Sequence, residues 1–275
     1  MNTKEIMDLA LDLAGLDEVP SDSAVIVEGE NIKKVLVGVD MGTAELLLAK
    51  ELGVDCVIGH HPVGDTTRTE FTDVMKNQID RMVEAGVPIN KAQKVLMPRI
   101  DEVNVGLHPA NYDRATSAAR LLNMPYIGIH SPCDVIAERT VQEHMDKVYS
   151  ENPKATIQDL IDDLMTIPEY KNSLSEPKAR VGSTEDYCGK PFVTMAGGTG
   201  GGAEVFKAYF EAGVGTLVTM HIPVADIKKV KEHGIGNVLV AGHMSSDSVG
   251  INGLMNELEN RGIEVIRMSG VLSPK

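Results

Sequence analysis

Two histidines stand side by side in VIGHHPVGD, residues 57–65, where an apolar run gives way to a proline and a turn. The chain has only eight histidines, and neutral imidazole is a ligand for Zn, Fe, Mn or Ni. Neighbouring residues of an extended chain point to opposite sides, so His60 and His61 suit two adjacent ions better than one shared ion. A polar loop with one histidine buried as a cap is the other reading of the same residues. In AGHMSSDSVG, residues 241–250, His243 and Asp247 are four apart and share a face if the turn is helical, a spacing that suits chelation. Asp247 equally reads as the cap of a helix that follows it. In GLHPANYDRA, residues 106–115, His108 precedes Asp113 by five residues, and Asp113 also reads as an ordinary helix cap.

The elements that position these groups alternate. KKVLVGVD (33–40) reads as a strand, TAELLLAKELG (43–53) as a helix closed by Gly53, and VDCVIG (54–59) as a strand again. VNVGLH (103–108) reads as a further strand and RATSAARLLN (114–123) as a helix. Strand–helix–strand order with short connectors predicts an α/β fold. Residues 131–175 are charged and helical in pattern, broken at Pro153 with a new start in KATIQDL; residues 173–191 read as linker with a short strand. The stretch 192–224 repeats the order of the early strand, small-residue turn, helix, strand, His and Pro-Val, with His221 matching His61. The expectation is two similar α/β lobes, 1–130 and 191–275, joined by a helical insertion and linker at 131–190. They face each other across a cleft with both His turns at the carboxyl ends of strands.

The remaining polar features are read more plainly. GGTGGG (197–202) precedes a helix and could cradle a phosphate; without the Lys-Ser/Thr of a P-loop it reads as a tight turn. Asp40 reads as a buried hydrogen-bonding acid. His130, His144 and His233 read as turn or surface residues, and His221 as facing the cleft in a structural or supporting role. A formal net charge of −14 and only ten Phe and Tyr with no Trp argue against a general nucleic-acid binder. The three cysteines, Cys56, Cys133 and Cys188, form no C-x-x-C pair and point to a reducing cytoplasm. The acidic amphipathic opening lacks the basic start and unbroken apolar stretch expected of a signal peptide, and no apolar run approaches the ~18 residues that suggest a membrane span.

Taken together, NIKKVLVGVDMGTAELLLAKELGVDCVIGHHPV, LHPANYD, FVTMAGGTGGGAEVFKAYFEAGVGTLVT and VLVAGHMSSDSVGINGLMNEL resemble the NIF-three-like dinuclear-metal family, whose members are often labelled GTP cyclohydrolase I type 2 homologues. The resemblance covers about 30–130 and 180–270. It implies that His60 and His61 each bind one ion of a two-metal site, that Asp113 bridges or completes it, and that His243 and Asp247 are the late ligands. His108 matches a further histidine near the ions. The late acid of the family is usually Glu, so Asp247 is one methylene shorter; the His108–Asp113 spacing is one residue longer than the family's. The resemblance also implies a homo-hexamer around a central cavity.

The expected activity is that of a dinuclear metal-dependent hydrolase acting on a small phosphorylated or heterocyclic substrate. The two divalent ions (Zn, Fe, Mn or Ni) supply the activated water, and His108 and His221 are the candidate acid–base groups. GTP ring opening and phosphoester hydrolysis are both compatible. A metal-binding regulatory or scaffold assembly without turnover is the alternative, and oxidoreductase use of the Gly-rich turn a distant third.

Overall fold

The computed structural model describes residues 1–274. The first lobe opens with α1 (Thr3–Ala14), β1 (Ala24–Val27), β2 (Lys34–Gly38), α2 (Thr43–Glu51) and β3 (Cys56–Gly59). Three shorter helices follow, α3 (Thr66–Thr69), α4 (Thr72–Met75) and α5 (Asn77–Glu84), then α6 (Ile89–Leu107), α7 (Arg114–Leu122) and β4 (Tyr126–Gly128). The middle of the chain is helical: α8 (Ser131–Glu151), α9 (Ile157–Leu164) and α10 (Pro168–Lys171). The second half contains β5 (Lys178–Val181), β6 (Pro191–Thr194), α11 (Ala203–Glu211), β7 (Thr216–Thr219), α12 (Val224–His233), β8 (Asn237–Val240), α13 (His243–Asn260) and β9 (Glu264–Met268).

These strands form two sheets, ordered β1-β4-β3-β2-β9 and β5-β8-β7-β6. Apart from β9, the second sheet repeats the order of the first. In each, the outermost strand is antiparallel to its neighbour and carries a register shift, between Val25 and Val27 in one and between Ala179 and Val181 in the other. The remaining pairs are parallel. Parallel strands are covered on both faces and so read as near-continuous apolar runs, as VLVG of β2 and CVIG of β3 do, while TLVT of β7 is buried throughout. The fold is therefore α/β with two similar lobes, as the sequence pattern predicts.

The lobes exchange elements. β9 joins the first sheet alongside β2, and α13 buries Ile251, Leu254, Met255 and Leu258 with α1 and with Val35, Val37 and Ile58 of that sheet. Conversely, Met75 of α4, Met82 of α5 and Ala92, Leu96 and Ile100 of α6 pack on Phe192, Phe206, Tyr209 and Leu217 of the second lobe. Chain boundaries at 130 and 190 consequently do not separate the two sheets: each half contributes an amphipathic helix whose apolar stripe is covered in part by the other half. The expected strand at 103–108 is instead the last turns of α6. Val103 is the end of a helical stripe through Ala92, Leu96 and Ile100, whereas Val105 lies off that stripe and points to solvent at 74% exposure.

α8 and α13 cross in close contact. A Cβ on Gly250 would lie 2.0 Å from the carbonyl oxygen of Cys133, a backbone atom that cannot swing aside. Gly250→Ala is therefore expected to force the two helices apart and to cost roughly 1–3 kcal/mol, read as a lowered melting temperature. Because these helices carry the acidic residues described next, metal affinity is expected to fall with it.

Candidate metal centre

β3 ends at Gly59, but its hydrogen bonding continues: His60 N donates to Gly38 O (3.0 Å) and His61 N to Val39 O (2.9 Å). The strand geometry thus carries over two further residues, and the side chains diverge as an extended chain requires. His60 turns inward at 2% exposure, while His61 is half-buried and faces the cleft. The other ligand-type groups come from two equivalent places in the repeat, the starts of the helices that follow the fourth strand of each lobe. In the first lobe β4 runs into His130, the N-cap of α8, with Asp134 four residues on. In the second β8 runs into His243, the first residue of α13, with Asp247 four residues on. The packing of α8 against α13 brings both His-x-x-x-Asp turns to the His60–His61 corner.

The histidines are oriented by their Nδ1 atoms. His60 Nδ1 lies 3.1 Å from Ile129 O, His61 Nδ1 2.8 Å from Asp40 Oδ1, and His130 Nδ1 2.8 Å from Asp22 Oδ2. A carbonyl only accepts, so His60 carries its proton on Nδ1 and presents an Nε2 lone pair when neutral; a carboxylate partner imposes the same tautomer on the other two. Metal-binding histidines are typically held in this way. Asp22 is fully buried and also accepts from Ser131 Oγ at 2.6 Å. Burial works to raise its pKa, but the bond and charge of His130 prevail and lower it.

The Nε2 atoms converge on carboxylates. His60 Nε2 is 3.3 Å from Asp134 Oδ1 and 3.7 Å from Asp247 Oδ1. His61 Nε2 and His243 Nε2 are 3.5 and 3.4 Å from Asp247 Oδ2 and 3.3 Å from each other. His130 Nε2 is 3.7 Å from Asp134 Oδ2. Asp247 therefore lies between two half-sites, one oxygen toward His60 and Asp134, the other toward His61 and His243. His60 Nε2, Asp134 Oδ1 and both Asp247 oxygens are buried without a hydrogen-bond partner. Lone pairs facing lone pairs in a buried site require a cation. Three triads each bring their ligand atoms within 4.8 Å of one another: His60–Asp134–Asp247, His61–His243–Asp247 and His60–His61–His130. The donor set, nitrogen and carboxylate oxygen with no sulfur, fits divalent transition ions.

Without metal, protons fill that role. Burial alone would lower His60, but the charge of Asp247 and the facing Asp134 carboxylate raise it well above the ordinary imidazole value. Burial alone would raise Asp247, yet the facing histidines hold it well below the carboxylate range. For His243 burial wins and lowers the pKa, which favours the neutral, ligating form.

Some residues singled out in the sequence lie elsewhere. Asp113 is exposed at the start of α7 with no side-chain cap bond, and His108 is exposed at the end of α6; among the described residues neither belongs to a ligand triad. The long α6 occupies the chain where a strand was expected, so the GLHPANYD turn leaves from a helix rather than from a sheet. Its place at a strand end is taken by His130 and Asp134. His130 is correspondingly not a surface turn but a buried residue, 5% exposed. Asp40 is exposed rather than buried, though it does hydrogen-bond His61. His221 is exposed at the cleft, its ring centroid 4.8 Å from that of His243. Asp247 does not cap a helix, because α13 begins four residues before it.

The cluster opens into a cleft of about 440 Å³ between the lobes, lined by His61, His130, Asp134, His243 and Asp247 at one end and by the Gly198–Gly201 turn at another. That turn is braced by Gln78, whose Nε2 donates to Gly197 O and Thr199 O, both at 2.7 Å. Gly197 and Gly198 have φ of 101° and 80°, conformations that favour glycine.

Comparison with known proteins agrees with this architecture. The family described as Duf34/NIF3 (NGG1p interacting factor 3) matches residues 109–273. A NIF3 superfamily protein from Sphaerobacter thermophilus is 39% identical over 98% of both chains, with a TM-score of 0.95. Reduced HcgD from Methanocaldococcus jannaschii, 16% identical over 97% of both chains, has a TM-score of 0.61. TTHA1606 from Thermus thermophilus, 16% identical over 100% of this chain and 99% of its own, has a TM-score of 0.55. The last two likenesses concern the fold alone. No curated protein matches the chain. With one relative this similar along nearly its whole length and the family matching well over half of it, the chain belongs to the Duf34/NIF3 family.

Proposed function

We propose that the protein is a dinuclear metal-dependent hydrolase acting on a small phosphorylated or heterocyclic substrate. The observation that carries this reading is Asp247: a carboxylate 1% exposed, both oxygens unpaired, with a separate set of ligand atoms facing each. His60, Asp134 and Asp247 would hold one ion, and His61, His243 and Asp247 the other. Such a pair supplies Lewis acidity that lowers the pKa of water and polarises the bond under attack. The protein's own part is position and proton handling. His130, its Nδ1 proton held by Asp22, turns Nε2 toward the cleft and can accept or release a proton there. His221 stands at the rim beside His243, placed to touch substrate as it enters. The cleft volume falls within the roughly 300–1,000 Å³ usual for small-molecule sites.

GTP cyclohydrolase-like ring opening and phosphoester hydrolysis both fit this reading. A homo-hexamer is the assembly proposed with it, and the cytoplasm the compartment, in keeping with three free, buried cysteines. Among the described residues no helix is long and apolar enough to cross a membrane. The alternative, a metal-binding regulatory assembly without turnover, has less support, because the Asp22–His130 pair supplies an acid–base group that a storage or scaffold role does not need. In a panel of nucleotides, GTP included, and simple phosphate esters, we expect hydrolysis that chelator abolishes and a divalent ion restores. A metal-loaded protein inert across that panel would favour the regulatory alternative.

A further inference from the structure

Three arginines, Arg68, Arg81 and Arg99, line the same cleft as the His/Asp cluster. Two of them are engaged. Arg81 places Nε 2.8 Å from Glu138, pairs with Glu84, and lies over the Phe192 ring at 4.8 Å. Arg99 donates from Nε to Gly200 O at 3.2 Å and pairs with Glu102 at 2.7 Å. Arg68 differs in that, among the described residues, its guanidinium makes no hydrogen bond or ion pair, and its Nε is buried without an acceptor. In a chain of net charge −14 a free guanidinium facing a cleft is conspicuous, because acidic partners are abundant elsewhere. A buried N–H donor left without an acceptor is unfavourable, and a ligand oxygen would satisfy it.

The backbone that carries Arg68 is also fixed independently of any ligand. Its segment is anchored at Asp65, which has a positive φ of 53°, accepts from Thr116 Oγ1 at 2.9 Å and pairs with Arg120. One turn further on, Phe71 packs beneath the braced glycine turn: a Cβ on Gly198 would lie 3.0 Å from the Phe71 ring. Phe71 therefore gives the wall beside Arg68 an apolar surface, and its ring centroid is 5.9 Å from that of His130 at the metal end.

We infer that Arg68 is the anion-recognising residue of this cleft, and that the ligand is a small organic molecule carrying an oxyanion, a phosphomonoester or a carboxylate. Guanidinium binds both groups through paired hydrogen bonds, which a lysine cannot reproduce. The apolar wall at Phe71 takes the ligand's organic body. The inference rests on the metal-centre reading only for which end of the ligand reacts.

Calorimetric titration tests it, with phenylphosphonate and benzoate as probes and benzyl alcohol as the uncharged control, on metal-loaded and on chelated protein. The wild type should bind at least one anion more tightly than benzyl alcohol, and the tighter of the two identifies the group. Arg68→Gln should weaken that binding about tenfold or more while leaving benzyl alcohol binding and metal content unchanged. Arg68→Lys, which keeps the charge and guards against a folding defect in the first variant, should weaken it severalfold. Failure of the wild type to bind either anion, or wild-type affinity in either variant, would overturn the inference. Loss of metal binding alone would not: dependence on Arg68 should persist in the chelated protein even if the cluster holds no ion.

Discussion

Asp247→Ala is expected to cost the protein both ions, not one. Each half of the cluster faces a different oxygen of this carboxylate, Oδ1 toward His60 and Oδ2 toward His61 and His243. Removing it leaves His60 with Asp134 on one side and two neutral imidazoles on the other, neither set able to balance a divalent charge as well. Loss of groups that merely orient ligands costs about 10–100-fold in metal affinity, so loss of a shared ligand should exceed about 100-fold at both half-sites. Asp247→Asn keeps the shape and one acceptor but not the charge, and should also lose most of its metal. A helix cap would behave otherwise, with metal content intact and roughly 0.5–2 kcal/mol of stability lost in the Ala variant. The cap of α13 is Gly242, one turn earlier, so that pattern is not expected. Bound metal and melting temperature, measured for both variants, separate the two behaviours.

A second large effect divides two aspartates. Asp134→Ala should remove the ion beside His60, again by about 100-fold or more in affinity, because Asp134 is 3% exposed with Oδ1 unpaired and 3.3 Å from His60 Nε2. Asp113→Ala should leave metal content at the wild-type level and change stability by no more than about 0.5 kcal/mol, since Asp113 is exposed and its side chain caps nothing. Elemental analysis of the two variants side by side is sufficient. Equal metal loss in both would mean that the turn after α6 reaches the cluster in solution.

The Asp113 case also shows what sequence alone can convey. His60 and His61 were legible because an apolar run ending in two histidines has few ordinary explanations, and the α/β class because strands buried on both faces leave unbroken apolar runs. His243 and Asp247 were legible as a spacing. Their counterpart in the other lobe, IHSPCD at 129–134, has the same signature of strand, histidine, three residues and aspartate. It is hard to read from sequence because β4 is only three residues long and the charged α8 begins at once. The internal repeat contains it once extended past His221 to the fourth strand of each lobe. VNVGLH misled for a local reason: two alternating valines imitate a strand, while the stripe that makes them helical starts far upstream at Ala92. The exchange of α13 and β9 into the first lobe is not written in any local pattern. It follows from which half can cover which apolar face, and that is decided by packing between distant segments.

The central claim is that this cluster holds two divalent ions bridged by Asp247. Anomalous diffraction from crystals of metal-loaded protein, recorded at the absorption edge of the metal found by elemental analysis, tests it most directly. The account predicts two peaks, one bounded by His60, Asp134 and Asp247 and the other by His61, His243 and Asp247. A protein that neither carries nor takes up Zn, Mn, Fe or Ni, or whose anomalous peaks lie away from Asp247, would contradict it.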